Sequence, residues 1–349
     1  MPPQAYKNIQ NQNLLEASFL LAGLTKFECG VIRMDPQQKS MREALISERV
    51  EDLVVNKDDT ISDLVIKLGK MGGFMAPRIA RAAEIIKEMS LSGATNFLSF
   101  TGNVVSTGLR GTLAQIIRKG NFSAVVTTCG ALDHDIARSF GARYACGEFD
   151  VDDSMLNELE IHRLGNVFIP LEDYGPLIER AMREHLPEIM KDRHEISPSE
   201  LAKEFGRRIN DSSSILRAAF DKGIPVFVPG IVDGSFGTNL FFYAQTNELK
   251  LDLFRDMNLL LNMVFDSNKT GALIIGGGIS KHHVIWWNQF KEGLDYCVYL
   301  TTAQEYDGSL SGALPKEAIS WGKIKPTGKH VAVIGDVTIT LPLIAPFLL

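Results

Sequence analysis

A chain of 349 residues is long enough for one large α/β domain or two ordinary ones, and 45% apolar with 22% charged residues excludes global disorder. Acidic residues outnumber basic ones by 42 to 36, a formal net charge of −6, so no basic surface for nucleic-acid phosphates is expected. An acidic chain suits a cationic ligand better.

In chain order, residues 1–13 are polar with two prolines, and residues 14–24 are mostly apolar with Leu15, Phe19 and Ala22 at helical spacing. Gly30 and Pro36 are expected to break that pattern before the polar run 37–40. The segment reads as an extension or as an arm that packs on another subunit. From about residue 60 the chain alternates helix and strand periods. Residues 61–68 and 76–89 read as helices, the second with Ala80, Ala83, Ile86 and Met89 on one face. Strand 96–100 leads into helix 107–119, strand 124–128 into helix 133–140, and strand 166–170 into helix 174–193. Ser197-Pro-Ser-Glu200 is a capping box with proline at the first helical position, so a helix starts there and runs to about Ile209. Residues 225–228, 272–275, 296–300 and 331–334 read as four more buried strands. Strand, helix and strand at this spacing indicate crossover units, hence α/β with a parallel sheet covered by helices on both faces. No linker divides residues 60–349.

The four cysteines, Cys29, Cys129, Cys146 and Cys297, have no CxxC spacing and read as reduced thiols rather than a zinc site. No apolar run reaches the roughly 18 residues of a membrane span, and no signal-peptide layout opens the chain. Residues 339–349 come nearest to a span, and Pro342 and Pro346 interrupt them. A cytoplasmic protein that binds neither nucleic acid nor membrane is expected.

Open parallel sheets bind ligands beyond the carboxyl ends of their strands. Small and polar residues cluster there: Thr101-Gly-Asn-Val-Val-Ser106, Thr127-Thr-Cys-Gly130, residues 230–237, Gly276-Gly-Gly278, Thr301-Thr-Ala-Gln-Glu305 and Gly335-Asp336. The glycine run ends a strand and opens a helix, a setting for close backbone approach to a pyrophosphate, although Lys281 stands where GxGxxG would need its third glycine. Asp233 and Asp336 could accept ribose hydroxyls or could serve turns. Of His282 and His283, at most one can face the cleft, because helix neighbours point about 100° apart. Asp133-His-Asp135 reads as capping at the start of a helix, with cofactor contact as the alternative; no metal is expected. Trp321-Gly-Lys323 is the most telling local feature. A lysine beside a large aromatic is partly desolvated, which favours the neutral amine needed for imine formation; a solvated lysine next to a core tryptophan is the plainer reading. Upstream, Glu305, Asp307 and Glu317 could hold a polycation.

These blocks, in order, resemble the deoxyhypusine synthase family, and its archaeal branch most. The resemblance rests on Thr101-Gly-Asn-Val-Val-Ser-Thr-Gly-Leu-Arg110, Val126-Thr-Thr128 with Asp133-His-Asp-Ile-Ala-Arg138, and Val232-Asp-Gly-Ser235. It continues through Gly276-Gly-Gly-Ile-Ser-Lys-His-His283, Thr302-Ala-Gln-Glu-Tyr-Asp-Gly-Ser309 and Glu317-Ala-Ile-Ser-Trp-Gly-Lys323. What the resemblance implies is a Rossmann-like fold and NAD-dependent transfer of the 4-aminobutyl group of spermidine to one lysine of the translation factor 5A precursor. It also implies a homotetramer, a dimer of dimers with active sites at the tight dimer interface. By similarity Lys323 is the imine-forming nucleophile and His282 stands near the amine undergoing oxidation. Trp321 and Tyr299 would line the polyamine channel, and Glu317 would bind a terminal ammonium. Asn103, Ser106, Thr128, Asp233, Gly277, Thr302, Asp307 and Asp336 would hold NAD. Met41-Arg-Glu-Ala-Leu45 resembles the usual archaeal start, so residues 1–40 read as an extension and 41–349 as a single domain.

Some positions depart from the family. Thr238 and Leu310 stand where eukaryotic members place aspartates that anchor the polyamine, and His134 stands for a glutamate. Transfer to putrescine, as in homospermidine synthase, remains an alternative, because the acceptor meets the same tunnel mouth. A non-catalytic NAD-binding regulatory subunit is disfavoured by intact Lys323, His282 and Trp321. An ordinary dehydrogenase is disfavoured by the lysine block.

Overall fold

The computed structural model describes residues 35–349. Its strands are β1 (Thr95–Phe100), β2 (Ala124–Val126), β3 (Ala145–Cys146), β4 (Ile161–Leu164), β5 (Val167–Pro170) and β6 (Glu195–Ile196). They continue with β7 (Val226–Phe227), β8 (Lys250–Leu251), β9 (Thr270–Ile275), β10 (Leu294–Thr301) and β11 (Ile324–Ile334). Six of them form one sheet in the order β11-β10-β9-β1-β2-β7, and every pairing in it is parallel. From β1 the chain adds β2 and β7 on one side, then crosses over to add β9, β10 and β11 on the other. The reversal lies between β1 and β9, paired from Thr95↔Thr270 to Phe100↔Ile275. Such a reversal opens a crevice at the carboxyl ends of the two strands.

Side chains alternate across the sheet with period 2, and both faces are buried. Leu98, Phe100, Val125, Leu273, Ile275, Val298, Leu300, Val331 and Val333 point into one core cluster, with the helices Ala76–Leu91, Leu109–Lys119 and Cys129–Ser139. Phe97, Val126, Phe227, Ala272, Ile274, Cys297, Tyr299 and Ala332 point into the other. There the cover comes from the helices Leu253–Phe265, Gly278–Asn288 and Pro315–Ser320, through Leu260, Val264, Val284, Ile285 and Ala318. The expected α/β architecture is therefore present.

One local expectation needs correction. Strand 166–170 exists as β5, but it joins β3 and β4 in a separate antiparallel sheet rather than the parallel one. The break expected at Gly30 and Pro36 concerns a pattern outside the described residues; Pro36 itself opens helix Pro36–Leu45. Asp35 accepts from the Gln38 N–H while the Gln38 side chain accepts from the Asp35 N–H, and a proline in the first turn forfeits no helical hydrogen bond. That helix spans the boundary placed at residues 40 and 41. By compactness the chain divides at Val50, with Glu51–Leu349 as one unit. The apolar stretch 14–24 lies outside the described residues. The capping box at Ser197 is present as read, with its helix running Pro198–Arg208.

Candidate active site

The eight residues expected to hold a dinucleotide stand past the carboxyl ends of all six parallel strands. Asn103 and Ser106 follow β1, Thr128 follows β2, Asp233 follows β7, Gly277 follows β9, Thr302 and Asp307 follow β10, and Asp336 follows β11. The loops after β1 and β2 touch: a Cβ on Gly102 would meet the Ala131 nitrogen at 2.8 Å and the Thr128 Oγ1 at 3.1 Å. Across the reversal, a Cβ on Gly276 would meet Thr101 Oγ1 at 2.9 Å. Not every side chain in the set is free to bind. Ser106 donates to the Asn103 carbonyl at 2.8 Å, and Asp336 caps the helix Val337–Ile344 by accepting from Thr338 N–H at 2.8 Å. Asp307 accepts from the Ser309 amide at 2.7 Å, and the bonds from Ser309 hold its carboxyl below the ordinary value. Asn103, Asp233 and Thr302 are exposed.

The lysine block lies elsewhere. Leu314-Pro315 starts the short helix Pro315–Ser320, and Gly322 ends it in the left-handed conformation at φ 66°. The Gly322 N–H then bonds the Ile319 carbonyl and the Lys323 N–H the Ala318 carbonyl, each at 2.9 Å. The turn leaves Trp321 66% exposed and Lys323 only 7%. Lys323 therefore precedes β11, at the amino side of the sheet, and the carboxyl-end rule does not find it.

Its side chain reaches a cavity of about 210 Å³ on the second sheet face, between the helices Gly278–Asn288 and Pro315–Ser320. Lys323, His282, Trp321, Tyr299 and Glu317, five residues expected to act on the amine, all line it. Leu310 and Ala313 supply apolar wall, whereas Glu305, Asp307 and Thr238 are not among the lining residues. Lys323 Nζ lies 5.3 Å from the Trp321 ring centroid and 5.9 Å from that of Trp286, which the sequence had not marked. Two indole faces attract a cation and shield it from water.

His282 lines the cavity with its ring 5.5 Å from Trp286, while His283 turns away against Trp287. Burial, and then the Lys323 charge, push the His282 imidazole below its ordinary value, so at neutral pH it is an acceptor for a proton. Tyr299 is buried at 1% exposure, and burial raises its phenol well above 10, so it stays neutral. Lys281, which stands where GxGxxG would need a glycine, is buried in the wall with its Nζ 4.3 Å from the Tyr299 ring centroid. Its only sequence signal is its place on the buried face of the helix, with Val284 and Ile285. Among the described residues no group of three or more His, Cys, Asp or Glu side chains could hold a metal.

Comparison with known proteins gives this geometry a family. The family model for deoxyhypusine synthase matches residues 63–347. The chain belongs to the deoxyhypusine synthase family. A curated relative from Sulfolobus acidocaldarius, named "Probable deoxyhypusine synthase", is 56% identical over 308 residues, covering 88% of this chain and 99% of the relative. One of the same name from Thermoplasma volcanium is 49% identical over 309 residues, again covering 88% and 99%. A solved structure from Entamoeba histolytica, described as a "putative deoxyhypusine synthase", shares the fold with a TM-score of 0.59 at 22% identity, covering 85% of this chain and 96% of that one. As a deoxyhypusine synthase family member the chain is an enzyme, a transferase of hypusine biosynthesis.

The Asp133-His-Asp135 segment does not cap its own helix, which starts at Cys129 behind Thr128. Both carboxylates cap other helices. Asp133 accepts from the Ser235 and Phe236 amides at 2.9 and 2.7 Å, fixing the turn that follows Asp233. Asp135 accepts from Ser214 Oγ and the Ile215 and Leu216 amides, and pairs with Arg110 at 2.6 Å. His134 bonds Tyr144 through Nδ1 at 2.7 Å.

Burial raises Asp133 from 3.8 to about 6 and lowers His134 from 6.5 to about 4, with the Arg138 charge adding to the latter. The signs oppose. The folded state resists protonating His134, so stability is lost as pH falls from about 6.5 to about 4. It takes up a proton on Asp133 more readily than the unfolded chain, so stability is gained as pH falls from about 6 to 3.8. Each contribution is on the order of 3 kcal/mol and they nearly cancel. His134→Gln is therefore expected to melt progressively higher relative to the unsubstituted protein as pH drops from 7 to 5. A pH-independent difference in Tm would contradict this.

Proposed function

We propose that the chain transfers the 4-aminobutyl group of spermidine to one lysine of the translation factor 5A precursor, in the cytoplasm, with NAD as cofactor. The observation that supports this most is the convergence of Lys323, His282, Trp321, Tyr299 and Glu317 on one cavity. The strand-end set fits a dinucleotide: every strand of the parallel sheet contributes a polar residue or a glycine past its carboxyl end, and the set is centred on the β1/β9 reversal. Asn103, Ser106, Thr128, Asp233, Gly277, Thr302, Asp307 and Asp336 would hold NAD, which when bound accepts a hydride and gives it back.

The chain's own residues do the rest. Glu317 holds a terminal ammonium of spermidine, while Trp321 and Tyr299 flank the aliphatic stretch. His282, neutral at pH 7, takes a proton from the secondary amine beside the carbon to be oxidised. Lys323 attacks that carbon once it is an imine; the C–N bond to the leaving amine breaks and diaminopropane departs. The butylamine stays on Lys323 as a Schiff base until the acceptor lysine displaces it, which restores the free amine of Lys323 and leaves the imine on the acceptor, where the returned hydride and a proton give the product's secondary amine. Oxidation and reduction balance within one turnover, so NAD is required but not consumed.

The test is incubation with NAD, radiolabelled spermidine and the factor precursor, with putrescine in a parallel tube. Label should enter the precursor, and NADH absorbance should not grow with turnover. Label in homospermidine alone would move the acceptor to putrescine, and NADH accumulating with turnover would indicate a dehydrogenase. The active form is a homotetramer in this reading. Phe241 and Phe242, 60% and 61% exposed, and Trp286 and Trp321 beside the cavity, 42% and 66% exposed, present apolar surface for a partner. Light scattering should give a tetramer; a fully active monomer would refute it.

A further inference from the structure

Lys281 has no part in the chemistry above, yet it is among the most buried charged side chains described, 1% exposed. Its Nζ donates to three backbone carbonyls: Leu310 at 2.8 Å, Ala313 at 2.7 Å and Ser311 at 3.3 Å. An ammonium has three protons, and here each finds an acceptor while the Tyr299 ring lies beside the charge at 4.3 Å. No lone pair is left to attack an imine. Burial does lower its pKa to about 8, the property of a nucleophilic lysine, but three carbonyls and a π face call for the cation. Lys281 is therefore not a rival to Lys323.

The turn that these bonds hold has two sides. On one, Leu310 and Ala313 form wall of the amine cavity. On the other, Ser311 lies on the glycine turn after β9: its Oγ accepts from the Gly278 N–H at 2.9 Å, and a Cβ on Gly277 would come within 2.7 Å of the Ser311 Cα. The same segment reaches back to Asp307, whose Oδ1 a Cβ on Gly312 would meet at 2.8 Å. One loop thus borders both the cavity and the dinucleotide-type turn, and a single buried cation ties it to the helix that carries His282.

We propose that Lys281 is a positioning residue that clips the 310–313 turn to the start of helix Gly278–Asn288, so that the binding of amine and of dinucleotide depends on one fastening. The proposal rests on the reading of the two sites given above. Loosening the clip should weaken both ligands together, whereas altering the wall alone should weaken only the amine.

Three proteins would be compared by equilibrium binding of NAD and by steady-state kinetics in spermidine: unsubstituted, Lys281→Met and Leu310→Ala. Lys281→Met loses all three hydrogen bonds, so the Kd for NAD and the KM for spermidine are each expected to rise about tenfold or more. At saturating ligands, borohydride should still trap the adduct on Lys323. Leu310→Ala should raise the spermidine KM and leave the NAD Kd within about twofold. Lys281→Arg, which keeps the charge, should give intermediate values. A shift in only one constant for Lys281→Met, or loss of the adduct at saturation with an unchanged Tm, would overturn the clip. Should Lys281→Met not fold, the unsubstituted protein still decides, since one shared loop requires NAD to tighten spermidine and spermidine to tighten NAD by the same factor. Absence of that coupling overturns the clip, whereas failure of the unsubstituted protein to bind either ligand would overturn the functional reading instead.

Discussion

Lys323→Arg is expected to bind NAD and yet transfer no butylamine, a loss of at least about a thousandfold, since guanidinium stays protonated and cannot form the imine. The charge, the length and the contact with two indoles are all retained, so binding and fold should survive. Spermidine cleavage should persist slowly, because oxidation precedes attack. Borohydride added to the unsubstituted enzyme with NAD and spermidine should trap a butylamine adduct, and peptide mapping should place it on Lys323. Lys281 and Lys325 are the informative alternatives. Lys281 is held by three carbonyls, and Lys325 pairs with Asp295 at 2.8 Å on β11. An adduct on either, or transfer by Lys323→Arg near the normal rate, would refute the mechanism.

Gly277→Ala should have the next largest effect. Gly277 has a negative φ of −158°, so left-handed strain is not at issue; the new methyl would have to enter Ser311, whose Cα lies 2.7 Å away. Overpacking of this kind costs about 1–3 kcal/mol, and here the loop 304–313 yields more easily than the sheet. That loop carries Asp307 and walls the amine cavity, so the expected result is a loss of about tenfold to a hundredfold in NAD affinity with a raised KM for spermidine. Gly278→Ala is the contrast. It has φ +63° with nothing within 4 Å of a new Cβ, so it should lose only the roughly 1 kcal/mol of left-handed strain. Equal binding by Gly277→Ala and the unsubstituted protein would show that the loop does not depend on this close approach.

Much of this protein is determined locally and so is legible along the chain. The runs that became β1, β2, β7, β9, β10 and β11 are short, apolar and separated by helix-length segments, which leaves few arrangements other than a covered parallel sheet. Ser197 and Glu200 form their capping box within four residues, where no tertiary context is needed. Strand ends mark the polar set from Asn103 to Asp336, because a parallel sheet sends every carboxyl end to the same edge. The tertiary structure decided what depends on distant partners. β5 has the apolar pattern of a buried strand, and only its antiparallel neighbours β3 and β4 show that it lies outside the main sheet. Asp133 caps a helix 102 residues further along the chain and Asp135 one 79 residues along, so neither could be assigned from its own helix. Lys281 looked like a missing glycine because its three acceptors lie 29 to 32 residues away, on a turn whose position depends on how Ser311 seats against the glycine run. Lys323 was legible as a lysine beside an indole. Its burial beneath a second indole, on the amino side of the sheet, follows from two helices packing on the same sheet face, and no spacing along the chain encodes that.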